Sequence, residues 1–372
     1  MGIVLEKDQS DAVDKLSDWF LDERSNRFVL LGLAGTGKTT LINFFVDKLG
    51  LDRSSIAFAA YTGKAAMVLR SKGIHASTIH RLIYEPVIIG KTIEFKKKRE
   101  LSSTIRLIFI DECSMVSDNI RNDLESFNIP IVYIGDHGQL PPIVKDGAVN
   151  IVMANPDIVL EKIHRQALDN PIIYLSMLAR SSQFIQYGKY GDKVVKVSRS
   201  EISDEFVSSA PQILCGKNAT RIHINDVCRQ DRGYINPGPV YGDRLICTKN
   251  NWHLGLINGM TGELQSVPML YAEAKTPYYK KFDFVSDEGD SWEDLKVDAT
   301  TFNKEKTEFV RDISKKNLDN FDFGYAITVH KAQGSQYEAV LLMEERMGDS
   351  EFHARWLYTG ITRAINRLII VA

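Results

Sequence analysis

Residues 32–39 read GLAGTGKT, which matches the pattern G-x-x-x-x-G-K-[ST] at every fixed position. An apolar run at 27–31 (RFVLL) precedes the segment and an amphipathic stretch follows it, so it is predicted to join a buried strand to a helix. In that setting the glycines let backbone N–H groups surround phosphate oxygens, and the helix N-terminus adds its positive end. Lys38 would neutralise the β- and γ-phosphates of ATP, and Thr39 would ligate Mg²⁺.

Further apolar runs extend this α/β pattern along the chain. Runs at 55–60 (SIAFAA), 107–110 (LIFI) and 131–134 (IVYI) are predicted strands, separated by helical segments. A second α/β pattern starts near residue 161, with predicted strands at 213–215, 325–329, 340–343 and 367–371. Short strands that alternate with helices indicate βαβ units, and therefore a mainly parallel sheet in each half.

Length and composition exclude several classes of protein. The chain has 372 residues, which suits two to three domains, with 44% hydrophobic and 25% charged residues. These values exclude wholesale disorder and a collagen-like repeat. The net charge of -2 excludes a globally basic nucleic-acid binder but leaves room for a local basic groove. The four cysteines form no CxxC pair, so buried thiols are expected rather than a zinc ribbon. With no membrane-length apolar run and no signal peptide, we expect a soluble, cytoplasmic protein without a membrane partner.

Two insertions interrupt the α/β pattern. Between residues 81 and 103, strand-like runs at 84–89 and 92–95 flank Gly90-Lys91 and predict a hairpin, which the basic run KKKR at 96–99 follows. Between 239 and 320 the sequence turns polar, aromatic and acidic without a helical period, which predicts a small β-rich insertion.

Acidic and amide side chains follow the predicted strands. Asp111 and Glu112 come directly after the strand at 107–110, where Asp111 can hold Mg²⁺ and Glu112 can polarise an attacking water. Gln139 lies in GDHGQLPP (135–142), at the end of the next strand, where it can sense a γ-phosphate. Taken alone, strands often end in acids, and the second segment is a polar turn stiffened by prolines.

Two arginines in the later part of the chain are candidates for transition-state stabilisation. Arg165 lies in IHRQ (163–166) and Arg363 in YTGITRA (358–364). An arginine supplied by a facing domain can act as an arginine finger. For either residue alone, a surface salt bridge is the simpler interpretation.

In their order along the chain, these segments resemble those of superfamily 1 helicases, most of all the 5′-to-3′ branch of RecD-like and phage Dda-like enzymes. The branch-specific segments are ASTIH (76–80), GDHGQLPP, ING (257–259) with Thr261-Gly262, and YAITVHKAQGS (325–335). The resemblance covers nearly the whole chain, from Gln9 to Arg363.

The resemblance implies an α/β fold of two RecA-like parallel-sheet P-loop domains, with ATP in the cleft between them. It further implies a β-hairpin pin that splits the duplex and a small SH3-like β-barrel insertion. The implied segments are 1–80 and 104–160 for the first domain, 81–103 for the pin, 161–238 and 321–372 for the second domain, and 239–320 for the barrel.

Site residues follow from the same resemblance. Those implied in catalysis are Lys38, Glu112, Gln139, Arg165 and Arg363. Those implied in holding ATP are Gln9, Gly32, Ala34, Gly35, Thr36, Gly37, Lys38, Thr39, Thr40 and Gln336. The implied Mg²⁺ ligands are Thr39 and Asp111. The implied contacts to single-stranded DNA are Thr62, Lys64, Thr78, His80, Thr328 and His330. Relatives often carry an acid at the position of Gln336 and a proline at that of Tyr61, and Tyr61 either stacks on a base or packs internally.

The implied function is ATP-dependent 5′-to-3′ translocation on single-stranded DNA with duplex unwinding, in replication, recombination or repair. The expected partners are single-stranded DNA, duplex junctions and single-strand-binding or replication proteins, and the expected state is a monomer. One alternative is an ATP-driven translocase, or a recombination-complex subunit, that displaces proteins with little unwinding. A P-loop kinase explains only residues 32–39, and a silent DNA-binding module leaves the intact catalytic residues unexplained.

Overall fold

The computed structural model describes residues 5–22, 25–71, 73–89, 92–141, 151–162, 169–251, 254–273, 276–287, 289–304 and 318–372. Contacts within the chain divide it into two units, Met1–Tyr174 (unit 1) and Leu175–Ala372 (unit 2). From the sequence, the second α/β region was expected to start near residue 161. The division of the chain into six segments remains a prediction. Within the described ranges, no helix combines the length and apolar character that a membrane span needs.

Unit 1 is built on a parallel sheet. Its strands are β1 (Arg27–Gly32), β2 (Ile56–Ala60), β3 (Ala76–Thr78), β4 (Tyr84–Ile89), β5 (Thr92–Lys97), β6 (Leu107–Asp111), β7 (Ile131–Gly135) and β8 (Ile158–Leu160). Its helices are α1 (Lys7–Asp22), α2 (Lys38–Leu49), α3 (Gly63–Ser71), α4 (Ile79–Ile83), α5 (Asp118–Glu125) and α6 (Ile151–Ala154), and α7 (Pro171–Arg180) crosses the division. The six sheet strands lie in the order β3-β2-β6-β7-β1-β8, and all pair in parallel.

The strands of this sheet are apolar along their length because helices cover both faces. On one face, Phe58 and Phe109 stack with ring centroids 5.1 Å apart and join a core with α1, α2 and α3. On the other face, Ile108 and Ile110 pack with Ile79 of α4 and with α5. The parallel sheet predicted from the apolar runs is therefore confirmed for unit 1.

Strands β4 and β5 form an antiparallel sheet of their own. Tyr84 pairs with Lys97 at the base of this hairpin, and Ile89 pairs with Thr92 near its tip. The turn at residues 90–91 lies outside the described residues. The second strand ends at Lys97, two residues later than the sequence pattern predicted.

Unit 2 contains two sheets. Its strands are β9 (Gly188–Lys189), β10 (Val194–Val197), β11 (Ile213–Cys215), β12 (Arg244–Cys247), β13 (Thr261–Leu264), β14 (Met269–Tyr271), β15 (Tyr278–Ser286), β16 (Ser291–Asp298), β17 (Phe321–Phe323), β18 (Ala326–Thr328), β19 (Tyr337–Met343) and β20 (Ala364–Val371). Its helices are α8 (Asp204–Ser208), α9 (Asn218–Asp231) and α10 (Ser350–Ile361). The main sheet has the order β18-β11-β19-β20-β10-β9 and is parallel except for the edge strand β9.

The second sheet of unit 2 is antiparallel, with the order β14-β15-β13-β12-β17 and β16 beside β15. Its core is aromatic, and the rings of Phe284 and Phe321 lie 4.9 Å apart. Phe323 pairs with Leu245, so β17 belongs to this small sheet. The sequence analysis predicted that the insertion ends at residue 320, because a short apolar strand does not reveal from its sequence which sheet it joins.

All four cysteines are free and buried. Burial raises the pKa of Cys113 well above its usual range. It also raises the thiol pKa of Cys215 and Cys247 to about 12, and that of Cys228 to about 11. Buried, protonated thiols are what the sequence predicted.

Candidate nucleotide site and nucleic-acid contacts

Strand register brings the candidate residues of unit 1 to one edge of its sheet. Leu31 pairs with Gly135, which places the glycine-rich loop beside the GDHGQ segment. Ala60 pairs with both Asp111 and Thr78, so the segments that follow these strands start at the same level. This carboxyl edge is where parallel α/β sheets bind ligands.

The loop after β1 has a shape that depends on glycine. Gly35 and Gly37 have φ angles of 82° and 80°, in the left-handed region that side chains other than glycine rarely adopt. A Cβ at Gly32 would lie 2.7 Å from the Thr36 hydroxyl, which donates to the carbonyl of Leu33 at 2.9 Å. The backbone thus curves tightly into the N-terminus of α2, as a phosphate cradle requires.

Lys38 lies at the start of α2, over this loop. Its Nζ donates to the carbonyl oxygens of Gly32 at 2.6 Å and Leu33 at 2.9 Å. Ala34 lies half-buried in the loop, and Thr40 lies half-buried in the first turn of α2. The backbone of Thr39 is helical, and its side chain lies outside what the structure describes.

Gln9 connects helix α1 to the loop. The side chain is buried, and its Nε2 donates to the carbonyl of Thr36 at 3.1 Å while Oε1 accepts from the backbone of Glu6 at 3.2 Å. The predicted adenine-reading glutamine therefore lies against the glycine-rich loop.

Asp111 ends β6, and Glu112 follows in a strained conformation. Oδ1 of Asp111 accepts from the backbone N–H of Glu112 at 2.9 Å. Glu112 has φ 53° and ψ 43°, a left-handed backbone that is uncommon for a residue other than glycine. Such strain is concentrated at functional sites, where the surrounding structure enforces it.

The pKa of the Cys113 thiol depends on its burial and on the charges of three catalytic candidates. Burial is the main cause of its raised pKa, the charges of Asp111 and Glu112 raise the pKa further, and the charge of Lys38 lowers it. The charges of these three candidates therefore act on the same buried thiol. A Cβ at Gly135 would lie 2.6 Å from the Cys113 sulfur, so glycine is needed where β7 ends.

Gln139 is buried close to the end of β7. Its backbone N–H donates to the carbonyl of Asp136 at 3.2 Å, which closes a tight turn. Its side-chain Oε1 is buried, with no hydrogen-bond partner among the residues that the structure describes. A buried oxygen without a partner costs about 1–3 kcal/mol, which a water or ligand can remove.

Arg363 lies between α10 and β20 and is 3% exposed. Its guanidinium donates to the carbonyls of Thr359 and Ser335 at 3.1 and 3.2 Å, and to the Thr362 hydroxyl at 3.2 Å. It forms no ion pair within the described ranges, so its buried charge faces only neutral oxygens. Gln336 is exposed just before β19, and Arg165 lies outside the described residues.

Three of the predicted DNA contacts are threonines at the ends of strands or the starts of helices. Thr62 accepts at its hydroxyl from the backbone of Ala65 at 3.2 Å, and Thr78 accepts from that of Arg81 at 3.2 Å. Thr328 accepts from the backbone of Lys331 at 3.3 Å. A hydroxyl that accepts one hydrogen bond keeps its own O–H for donation to a phosphate.

The remaining predicted DNA contacts are partly or largely buried. Lys64 is 8% exposed, and the His80 ring lies between Tyr61 and Tyr84, at 6.4 and 5.5 Å from their centroids. His330 stacks on Phe352 at 6.0 Å. Burial lowers the pKa of both His80 and His330, so each imidazole is neutral at pH 7.

The sequence did not identify a link between two of its own motifs. Lys331 Nζ donates to Oδ1 of Asn258 at 2.7 Å, which joins HKAQG at 330–334 to ING at 257–259. Burial lowers the pKa of Lys331. Both residues lie inside motifs that the sequence analysis identified, but their pairing depends on the fold.

Family comparisons agree with this division of the chain. Residues 4–192 match the family described as AAA domain, and residues 323–371 match the UvrD-like helicase C-terminal domain. The first match covers half of the chain and contains the glycine-rich loop, the acidic pair and Gln139. The second contains Thr328, His330 and Arg363.

The chain is also similar to curated helicases and to a solved helicase structure. The chain is 28% identical to the ATP-dependent RecD2 DNA helicase of Deinococcus radiodurans, over 98% of this chain and 48% of that protein. It is 24% identical to the ATP-dependent DNA helicase Pif1 of Campylobacter jejuni, over 91% and 86%. The chain thus spans about half the length of the first relative. The structure of Pif1 helicase from Bacteroides in complex with ADP-AlF3 and ssDNA shares the fold, with TM-score 0.57, 17% identity and coverage of 99% and 92%.

Proposed function

The chain belongs to the AAA domain family and to the superfamily 1B helicases. From this premise we propose that it is an ATP-dependent DNA helicase that moves 5′-to-3′ on single-stranded DNA. The observation that carries the proposal is the convergence of the glycine-rich loop, Asp111, Glu112 and Gln139 at one edge of the unit 1 sheet. This arrangement suits hydrolysis of a nucleoside triphosphate.

Each residue of that edge has a proposed role. The loop and Lys38 hold the phosphates, Gln9 reads the base, Glu112 orients the attacking water, and Gln139 senses the γ-phosphate. Mg²⁺ would be held by Thr39 and Asp111 together with phosphate oxygens, and would neutralise developing charge. The Oε1 of Gln139, which has no partner among the described residues, supports its role, because a water or ligand would complete its hydrogen bonding.

Arg363 is proposed to stabilise charge on the transferred phosphoryl group. Its buried guanidinium has only neutral partners within the described ranges, and an anionic ligand would compensate its charge. Arg165 is proposed for the same task by resemblance alone.

The proposed DNA contacts are Thr62, Lys64, Thr78, His80, Thr328 and His330, and the proposed substrates are single-stranded DNA and duplex junctions bound by a monomer. We assign the β4–β5 hairpin as the pin that separates strands, and the small antiparallel sheet of unit 2 as the SH3-like insertion. Each base-pair step costs about 1.4 kcal/mol to melt, which is well within the free energy of one ATP.

The test is unwinding of a forked duplex that carries either a 5′ or a 3′ single-stranded tail, with ATP and Mg²⁺. We expect separation only with the 5′ tail, and no separation by Lys38→Ala. Separation only with the 3′ tail would overturn the proposed direction. DNA-stimulated ATP hydrolysis without separation on either tail would favour a translocase that displaces proteins.

A further inference from the structure

A basic recess lies at the β3 edge of the unit 1 sheet, away from the proposed nucleotide site. It has a volume of about 340 Å³, and its lining includes Arg70, His75, Ser77 and Arg81. It borders β3, the strand at the edge of the sheet. Arg70, His75 and Arg81 are all exposed, so a ligand from solution can reach them.

The two arginines come from opposite faces of the sheet. Arg70 lies near the end of α3, whose Leu69 packs in the same core as Phe58. Arg81 lies on α4, whose Leu82 packs in the core of the opposite face. The two guanidinium groups therefore flank the edge strand, and each can bind a phosphate through paired N–H donors.

The charges in this recess are not neutralised internally. Neither Arg70 nor Arg81 forms an ion pair with any residue in the described part of the chain. The basic run at 96–99 overlaps the end of β5, and its Lys97 is used elsewhere, because it donates to the Ser126 hydroxyl at 2.7 Å. Among the described residues, the recess is therefore a site of positive charge without an ion-pair partner, on a chain whose net charge is -2.

The recess is connected to the base of the β4–β5 hairpin. Lys98 Nζ donates to the carbonyls of Arg81 at 3.1 Å and Leu82 at 2.8 Å. The backbone N–H of Lys98 donates to the carbonyl of Ile83 at 2.9 Å. A ligand held by Arg81 is therefore fixed relative to the hairpin through one short helix.

The position of the recess distinguishes it from the proposed single-strand contacts. Thr62 and Thr78 lie at the carboxyl ends of β2 and β3, whereas the recess extends back along the edge to Ala57 and Phe58. Phosphates bound there would belong to nucleic acid outside the tracked single strand. In the proposed function, the nucleic acid outside that strand is the duplex that meets the hairpin.

We propose that the recess formed by Arg70, His75 and Arg81 binds the phosphodiester backbone of the duplex arm at a junction. This inference rests on the proposed function, because it takes the hairpin as the point where the duplex is separated. The recess holds the incoming duplex against the hairpin while the single-strand contacts draw one strand away.

The test compares DNA binding by wild type and by Arg70→Gln/Arg81→Gln, without nucleotide, over a range of salt concentrations. The probes are a duplex with a 5′ tail and a single strand of the tail sequence. The measured quantity is the salt slope, which is the slope of the logarithm of the binding constant against the logarithm of the salt concentration. Losing two phosphate contacts should make this slope shallower by about 1.8 on the tailed duplex. The ratio of wild-type to variant affinity should therefore fall about twelvefold between 50 and 200 mM salt. The slope on the single strand should not change.

A control variant removes two exposed arginines that do not line the recess. Arg53 and Arg106 precede β2 and β6, and Arg53→Gln/Arg106→Gln should keep the wild-type slope on both probes. An unchanged slope on the tailed duplex in the recess variant would overturn the proposal, as would an equal loss on the single strand. Because binding is measured without ATP, a failure of unwinding by wild type would refute the proposed function without deciding this test.

Discussion

The backbone N–H of Glu112 donates to Oδ1 of Asp111 at 2.9 Å, and Glu112 adopts a left-handed backbone with φ 53°. In an extended backbone, successive side chains point to opposite faces of the sheet. The left-handed backbone of Glu112 breaks this alternation directly after β6, at a cost in conformational energy.

Replacing Glu112 separates its catalytic role from this strain. Glu112→Gly should raise the free energy of unfolding by about 1 kcal/mol, because relief of about 1–2 kcal/mol of left-handed strain exceeds the added entropy of an unfolded glycine. Hydrolysis of ATP should be lost. Urea unfolding and an ATPase assay measure the two effects. Glu112→Gln is the control, with wild-type stability and no hydrolysis, and a destabilised Glu112→Gly would show that the backbone is not strained.

Arg363→Lys tests the proposed transition-state arginine while it keeps a positive charge. We expect hydrolysis to fall at least about 10³-fold, because lysine lacks the planar fork of donors. Binding of a non-hydrolysable ATP analogue should stay within a few-fold of wild type. The control is Arg355→Ala, an exposed arginine on α10 that pairs with Glu351 at 3.0 Å. Wild-type hydrolysis by Arg363→Lys would reduce Arg363 to a structural residue.

Lys98→Met removes the two side-chain hydrogen bonds that fix the base of the hairpin. We expect slower unwinding of a tailed duplex, with ATP hydrolysis on single-stranded DNA unchanged and a stability loss of about 1 kcal/mol. Lys15→Met is a matched control, because the Lys15 ammonium also donates to a backbone carbonyl, that of Asp157 at 2.6 Å. An equal loss of unwinding in both variants would contradict a specific role for Lys98.

Two half-buried histidines should make the protein less stable as the pH falls. Burial lowers the pKa of His80 and His330 from the usual 6.5, so below that pH the unfolded chain binds protons that the folded chain does not. The folded state therefore loses stability as the pH falls from about 6.5 toward the lowered pKa values. In His80→Gln/His330→Gln, the decrease in the free energy of unfolding between pH 7.5 and pH 5.5 should be smaller than in wild type. Urea unfolding at both pH values measures it, and His223→Gln, at an exposed site on α9, should behave as wild type.

The sequence predicted the parts of the fold that rest on local patterns. Continuous apolar runs such as 107–110 gave buried parallel strands, and the position of Asp111 after one of them predicted its place at the sheet edge. The three-residue strand β3, with sequence AST, was missed because it has no apolar run and depends on pairing with β2.

Other features could not be read from the sequence because they depend on contacts between distant segments. The partners of the basic run at 96–99 are one example, since Lys97 and Lys98 form hydrogen bonds within unit 1. The charges that meet at Cys113, and the pairing of Lys331 with Asn258, likewise require the folded chain.

The four buried thiols have a practical consequence for optical studies of this chain. Thiol-reactive dyes attack the thiolate, and burial keeps all four native sulfurs protonated and shielded at neutral pH. A cysteine introduced at an exposed position, such as Lys96 on β5, would therefore react first without removal of the native ones. A single fluorophore could then report the motion of the hairpin during turnover.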